Sequence, residues 1–329
     1  MKVAILNYKG VVPTSVVGPF DMLDKVASVG LALNIQTPVT FEVDIVNTDE
    51  EVSSLKFNVV GNKTIRTRKV YDFILVPAMY INYIPEVLQR ERGMINWIKY
   101  QYSKGCDIGS ICLGAFLLAE TGLLDGKRAT THWMGVPEFR RMYPGVQLQH
   151  HNVIIDEGRI YTCGAAYSFT TLMIYLIEKF CGRDMALAMS KVFMIQVHGA
   201  GQDAFSIFNL QHTHNDAAIR DVQQFISKNY KDKLSVKAIG ERFNMSQRSF
   251  ARKFKEVTGN TPLEYIQRVK VEVAKRQLEQ GRHTVEEISL GVGYEDFNSF
   301  RNIFKRFTGL TPQDYKRRYS QMFLAPILG

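Results

Sequence analysis

A seventeen-residue pattern occurs twice in this chain of 329 residues, and it constrains the fold more than any other feature. The first copy is Ser249-Phe250-x3-Phe254-Lys255-x2-Thr258-Gly259-x-Thr261-Pro262-x2-Tyr265. The second, fifty positions on, is Ser299-Phe300-x3-Phe304-Lys305-x2-Thr308-Gly309-x-Thr311-Pro312-x2-Tyr315. Nine identities held in register over that distance imply two copies of one folded unit. A single repetition does not make a solenoid, which needs three or more repeats to bury its faces.

Each copy reads as a helix with a hard stop. Ser246 can cap the N-terminus through its hydroxyl. Phe250 and Phe254 lie four apart and share a face, while Arg248, Arg252, Lys253 and Lys255 lie largely off it. Gly259 permits the left-handed residue that ends a helix, and Thr261-Pro262 opens the next one. The second copy places Phe300 and Phe304 inside and Arg301, Lys305 and Arg306 outside, with Gly309 as stop and Thr311-Pro312 as restart. A short helix precedes each copy, over 235–243 with Val236 and Ile239 and over 284–291 with Val285 and Ile288. A tight turn follows each, Asn244-Met245 or Gly293-Tyr294. Helix, short turn and basic helix form a helix-turn-helix, whose second helix enters a major groove. A long helix from Pro262 to Gln280, with a loose apolar stripe of Ile266, Val269, Val273 and Leu278, joins the two units. Asn215 or Asp216 can cap a further helix before the first unit.

Residues 216–320 therefore resemble the AraC/XylS-type DNA-binding domain, in which two helix-turn-helix units flank a linker helix. The segment Gly293-Tyr294-x5-Phe300-x3-Phe304-Lys305-x3-Gly309-x-Thr311-Pro312-x2-Tyr315-Lys316-Arg317 carries most of the resemblance. Charge points the same way. Residues 216–329 hold 21 Lys and Arg against 13 Asp and Glu, which is +8 of the whole chain's +9, the footprint of phosphate contacts. Base readers belong on the early exposed face of each recognition helix. Arg248 and Arg252 are expected there in the first unit, arginine being able to fork onto guanine; Asn298 and Asn302, with Arg301 between them, match in the second, asparagine suiting adenine. Ser249 and Ser299 share those faces. Lys253, Lys255, Lys305 and Arg306 are expected to meet phosphates or solvent, and the four phenylalanines to be core.

The first two-thirds alternates strands and helices. Apolar runs at Val3 to Leu6, Phe41 to Val46 and Phe73 to Val76, with Asp107 to Gly109 leading into a sharp turn and Arg159 to Cys163 as a late strand, read as a mainly parallel sheet, with helices over 115–121 and 169–180. The start, Met1-Lys2-Val3-Ala4-Ile5-Leu6, is too short for a secretory signal, and no stretch reaches transmembrane length. Four cysteines without CxxC spacing argue for a reducing cytoplasm and against zinc. His150-His151 and His212-x-His214 lack companion carboxylates or thiols, so neither a metal nor a cofactor is expected. At Ser110-Ile111-Cys112-Leu113-Gly114 a strand runs into a sharp turn and a helix, the geometry of a nucleophile elbow. Cys112 reads either as a thiol that the helix dipole favours as thiolate or as a buried, inert cysteine.

The stretch from Ser110 to Trp133, with Gly18-Pro19-Phe20-Asp21, closely resembles the PfpI/ThiJ-type, class I glutamine-amidotransferase-like fold, over roughly residues 1–185. Catalytic relatives pair the elbow cysteine with an acid from the first strand-helix loop. Here that position is Ser15, the histidine that can follow the cysteine is Leu113, and the glycine pair after the third strand is Ala78-Met79. The resemblance thus implies a flavodoxin-like α/β domain that binds rather than catalyses, its pocket walled by Cys112, Ser15, Met79 and His132. Together the two resemblances imply a sensor domain over 1–190, a linker over 191–215, an all-α domain with two helix-turn-helix units over 216–320, and a tail over 321–329. The expected protein is a sequence-specific transcription regulator. It is cytoplasmic, binds a small metabolite and a double-stranded DNA operator, and forms a homodimer. The alternative is a cysteine-dependent hydrolase or hydratase with Cys112 as nucleophile, fused to a DNA-binding domain.

Overall fold

A computed structural model of the chain describes residues 1–48, 59–164, 168–195 and 214–320. Most of the expected linker and all of the 321–329 tail lie outside the described residues, as does His212. The chain divides into two compact units, 1–202 and 203–329.

The first unit is built on the strands β1 (Lys2–Asn7), β2 (Glu42–Asn47), β3 (Lys63–Thr64), β4 (Phe73–Val76) and β5 (Asp107–Ile111). A two-stranded ribbon of β6 (Arg128–Ala129) and β7 (Gln147–Leu148) stands apart, and β8 (Ile154–Asp156) and β9 (Ile160–Cys163) complete the main sheet. The main sheet runs β3-β2-β1-β4-β5-β9-β8, all parallel except the β8–β9 edge pair. The inner strands β4 and β9 are buried at every residue, as strands covered on both faces must be, which is why β4 reads as an unbroken apolar run and β9 is interrupted only by the buried Thr162. Helices α1 (Thr14–Leu33), α6 (Phe169–Cys181) and α7 (Arg183–Val192) pack together in one layer. Helices α2 (Ile84–Arg90), α3 (Arg92–Ser103) and α4 (Gly114–Glu120) pack in the other, and a short α5 (Val136–Met142) follows β6. Chain order reverses between β1 and β4, so the carboxyl ends of β1, β4 and β5 open onto a switch point, the usual ligand crevice of such sheets.

The second unit is helical: α8 (Ala217–Lys228), α9 (Val236–Arg242), α10 (Gln247–Thr258), α11 (Pro262–Gln280), α12 (Val285–Gly291), α13 (Phe297–Thr308) and α14 (Pro312–Tyr319). It has two hydrophobic cores. Ile219, Phe250, Phe254 and Tyr265 belong to one; Ile288, Phe300, Phe304 and Tyr315 belong to the other. Helix α11 serves both. Tyr265, Ile266 and Val269 enter the first core, and Val271, Ala274 and Leu278 the second. At about 100° per residue the two sets lie on nearly opposite sides of the helix, so its apolar stripe changes face halfway along. That change of face is why the stripe looked loose in the sequence.

Both helix-turn-helix turns use a left-handed residue at the same place, Asn244 at φ 56° and Gly293 at φ 79°. The caps fall on the expected side chains. Ser246 accepts from the Ser249 amide, Asp216 rather than Asn215 caps α8, and Thr261 and Thr284 form full capping boxes with Glu264 and Glu287.

Candidate functional site

The elbow is strained as its spacing implies. Cys112 holds φ 57°, a left-handed value costly for a side chain with a Cβ. Its amide donates to the Cys163 carbonyl at 2.7 Å, and its own carbonyl accepts from Thr131 Oγ1 at 3.0 Å. Behind it the first turn of α4 presses on the end of β4. A Cβ at Gly114 would stand 2.3 Å from the Pro77 carbonyl oxygen and 2.7 Å from that of Val76, so this contact admits glycine only.

Ser15 and Met79 lie on segments bonded to each other, and His132 follows Thr131, whose hydroxyl donates to the Cys112 carbonyl. Ser15 Oγ donates to the Val12 carbonyl at 2.6 Å and accepts the Ala78 amide at 3.0 Å. The strand-like pairing of Val11 with Met79 and the Val12 amide on the Ala78 carbonyl at 2.8 Å lock the two loops together. Ser15 occupies the position of the missing acid, yet its hydroxyl serves as a strut between loops. Ser15, Met79 and Cys112 are 0%, 2% and 5% exposed, whereas His132 is half-buried. His132 Nδ1 accepts the Met134 amide at 3.2 Å, and burial holds its pKa below the usual imidazole value, so the ring is neutral at pH 7. None of the four side chains therefore carries charge at neutral pH. Val17, Tyr80, Ile81 and Met134, on the same segments, expose apolar surface. No periodic signal marks these four, because they sit in a loop, in two three-residue 3-10 turns and in the first turn of a helix.

Of the two readings of Cys112, its surroundings favour the buried thiol. Burial pushes the thiol up to about 12, outweighing the Leu113 amide that works the other way. The loss of hydration on burial exceeds what the helix N-terminus returns to the anion. At neutral pH the group is a protonated thiol and a poor nucleophile. All four cysteines are free and buried. At pH 8, a small alkylating reagent is expected to leave Cys112 unmodified in the folded protein and to label it once urea unfolds the chain, as followed by mass spectrometry. Rapid labelling of the native protein would restore the nucleophile reading. The sign of the linkage follows from the direction of the shift. The stabilising contribution is complete below the ordinary thiol value of 9 and is lost as pH rises toward 12.

In the second unit the repeat divides by role. Of its nine identities, seven are used inside the fold. Phe250 and Phe254, with Phe300 and Phe304, are fully buried, and Tyr265 and Tyr315 meet Phe254 and Phe304 edge-on at 5.2 and 5.4 Å. Thr258 and Thr308 donate to the carbonyls of Phe254 and Phe304, each at 2.8 Å. Gly259 and Gly309 take the left-handed cap, and Thr261-Pro262 and Thr311-Pro312 start the next helix. The remaining two, Ser249 and Lys255 with their counterparts Ser299 and Lys305, are exposed. Beside them Arg248, Arg252, Asn298, Arg301 and Asn302 are exposed too. Two of the four basic residues assigned to phosphate or solvent hold carboxylates instead: Lys253 reaches Asp216 at 3.0 Å and Arg306 reaches Glu264 at 3.3 Å. The two recognition helices also start differently, on the neutral hydroxyl of Ser246 and on the carboxylate of Asp296. The Ser299 hydroxyl and amide hold the Asp296 carboxylate below its usual pKa. Among the described residues no group of three or more His, Cys, Asp or Glu could hold a metal, and no helix is long and apolar enough to cross a membrane.

Residues 1–179 match the DJ-1/PfpI family and residues 239–318 match a helix-turn-helix domain. Among curated relatives, the HTH-type transcriptional regulator CdhR of Pseudomonas aeruginosa is 26% identical over 225 residues, 68% of this chain and 66% of the relative. The HTH-type transcriptional regulator GlxA of Rhizobium meliloti is 29% identical over 219 residues, 65% of this chain and 66% of the relative. The matched stretch is thus just under two thirds of each relative's length. Among solved structures, a Vibrio parahaemolyticus protein described as a transcriptional regulator superposes with a TM-score of 0.51 at 17% identity. It covers 58% of this chain and 98% of that one, a likeness of fold.

Proposed function

The chain belongs to the DJ-1/PfpI family, and from that membership, joined to its paired helix-turn-helix units, we propose that it is a sequence-specific DNA-binding transcription regulator that responds to a small metabolite. Residues 1–190 act as the sensor, 191–215 as the connection and 216–320 as the reading head. The observation that carries the reading is the division of the repeat: what the two cores do not use is exposed, polar or basic, and lies on the recognition helices. Arg248, Ser249, Arg252 and Lys255 in α10, and Asn298, Ser299, Arg301, Asn302 and Lys305 in α13, form the DNA-facing set. The effector sits at the switch point, against Cys112, Ser15, Met79 and His132. With no charge on those four groups, it is recognised by hydrogen bonding and apolar contact. Its binding shifts a population between two arrangements of a homodimer, and the protein acts in the cytoplasm on nucleoid DNA. The protonated Cys112 and the committed Ser15 hydroxyl favour a sensor over an enzyme.

The test is selection of genomic fragments by the purified protein at moderate and at high salt, followed by sequencing. The expected result is a short motif in phased copies that survives high salt; diffuse recovery that disappears with salt would sink the reading. On a selected site, Arg248→Ala is expected to cost about 1–3 kcal/mol, roughly 10–100-fold in affinity, and to relax preference at one base pair. Lys255→Ala is expected to weaken all sites alike and lower the salt slope by about 1.

A further inference from the structure

The two helix-turn-helix units have separate cores, yet one buried ammonium and one loop tie them together. Lys270 lies on α11 where its apolar stripe changes face, and it is only 7% exposed. Its Nζ donates to the Gly293 carbonyl at 3.1 Å, lies 3.5 Å from the Asp232 carbonyl, and stands 5.1 Å over the Tyr294 ring. Gly293 and Tyr294 form the turn of the second unit; Asp232 belongs to the loop between α8 and α9 in the first. The same loop supplies Tyr230, which packs against both cores. It also supplies the Lys231 carbonyl oxygen, which would stand 2.1 Å from a Cβ at Gly293. The first unit's loop is thus seated directly on the second unit's turn, and the ammonium bridges the two.

A buried charge is costly unless hydrogen bonds meet it, and an aliphatic side chain would fill this position without that cost. Such groups are best attested where they fix register between packed elements. We propose that Lys270 is a positioning residue that fixes the spacing and angle between the recognition helices α10 and α13. It acts through the carbonyls of Gly293 and Asp232, and the head then reads its two subsites at one spacing only. The spacing consequence rests on the DNA-binding reading above; the rigidity does not.

The test is made on the full chain with spin labels at Gln247→Cys and Glu295→Cys. Gln247 opens α10 and Glu295 lies just before α13; both are exposed, and the four native thiols are buried. Pulsed electron resonance then gives the distance distribution between the helices without DNA. One narrow peak is expected. Lys270→Met, which keeps the length of the stem, is expected to roughly double its width. Gly293→Ala, which drives the Lys231 carbonyl away, is expected to do the same, and it decides the matter should circular dichroism show Lys270→Met unfolded. A broad peak in the parent, or folded variants as narrow as the parent, would overturn the proposal. Absence of a selected DNA motif would instead count against the DNA-binding reading and leave this result intact. Where a motif is found, the parent is expected to reject sites lengthened by one base pair, and Lys270→Met to accept them with a several-fold smaller penalty.

Discussion

Phe300→Ala will unfold the second helix-turn-helix unit and leave the first standing. The ring is fully buried and touches Tyr294, Phe297 and Phe304, at centroid distances of 5.5, 6.4 and 5.6 Å. Truncating such a ring costs about 3–5 kcal/mol in transfer and cavity terms. That loss falls on a core of only nine buried residues among those described, and a unit of about three helices has little reserve stability. Among the described residues the two cores share no fully buried side chain, only the partly buried Tyr230, so most of the damage stays in the second unit. Native-state hydrogen exchange is the measurement. Amides of α12 to α14 should lose protection while those of α8 to α10 keep most of theirs. Uniform loss across α8 to α14 would mean that the two cores open as one cooperative unit.

Gly114→Ala has an effect of similar size on the first unit. The added methyl would press on two backbone oxygens, of Pro77 and Val76, and neither can turn away as a flexible side chain could. Retreat of α4 is opposed by the short bond from the Cys112 amide to the Cys163 carbonyl. Overpacking of this kind costs about 3 kcal/mol. For a unit of this size that lowers the melting midpoint by roughly 10 °C. Both tryptophans of the chain, Trp97 and Trp133, lie in this unit, so their fluorescence reports its melting directly. An unchanged midpoint would show that the elbow relaxes without strain and that Gly114 is dispensable.

What could be read from the sequence was whatever rests on local chemistry. The repeat announced its helices, stops and turns because Phe, Thr, Gly and Pro each act within a few residues of themselves. The buried strand β4 stood out as an unbroken apolar run, and β9 departs from one only at Thr162. The two-residue strands β3, β6 and β7 carried no pattern long enough to see, and β8 is a three-residue edge strand. At the elbow, chain geometry was legible and chemistry was not. The left-handed Cys112 follows from a strand-turn-helix, but the state of its thiol depends on burial by residues distant in sequence. Lys270 stayed hidden for a related reason. A lysine on a basic helix looks like solvent-facing charge, and only the change of face along α11 carries it inside.

That change of face also fixes where one reading unit can be exchanged for another. The middle of α11 looks like a natural seam for splicing, since the residues before it serve one core and those after it serve the other. A graft cut there would nevertheless bring a foreign turn beneath the Tyr230–Asp232 loop, leaving the Lys231 carbonyl over a residue not selected to lie under it. A chimera with altered operator preference must therefore transplant two discontinuous segments together, the α8–α9 loop and everything from Lys270 onward. Shuffling at the helix alone would yield proteins that fold in halves and recognise nothing as a whole.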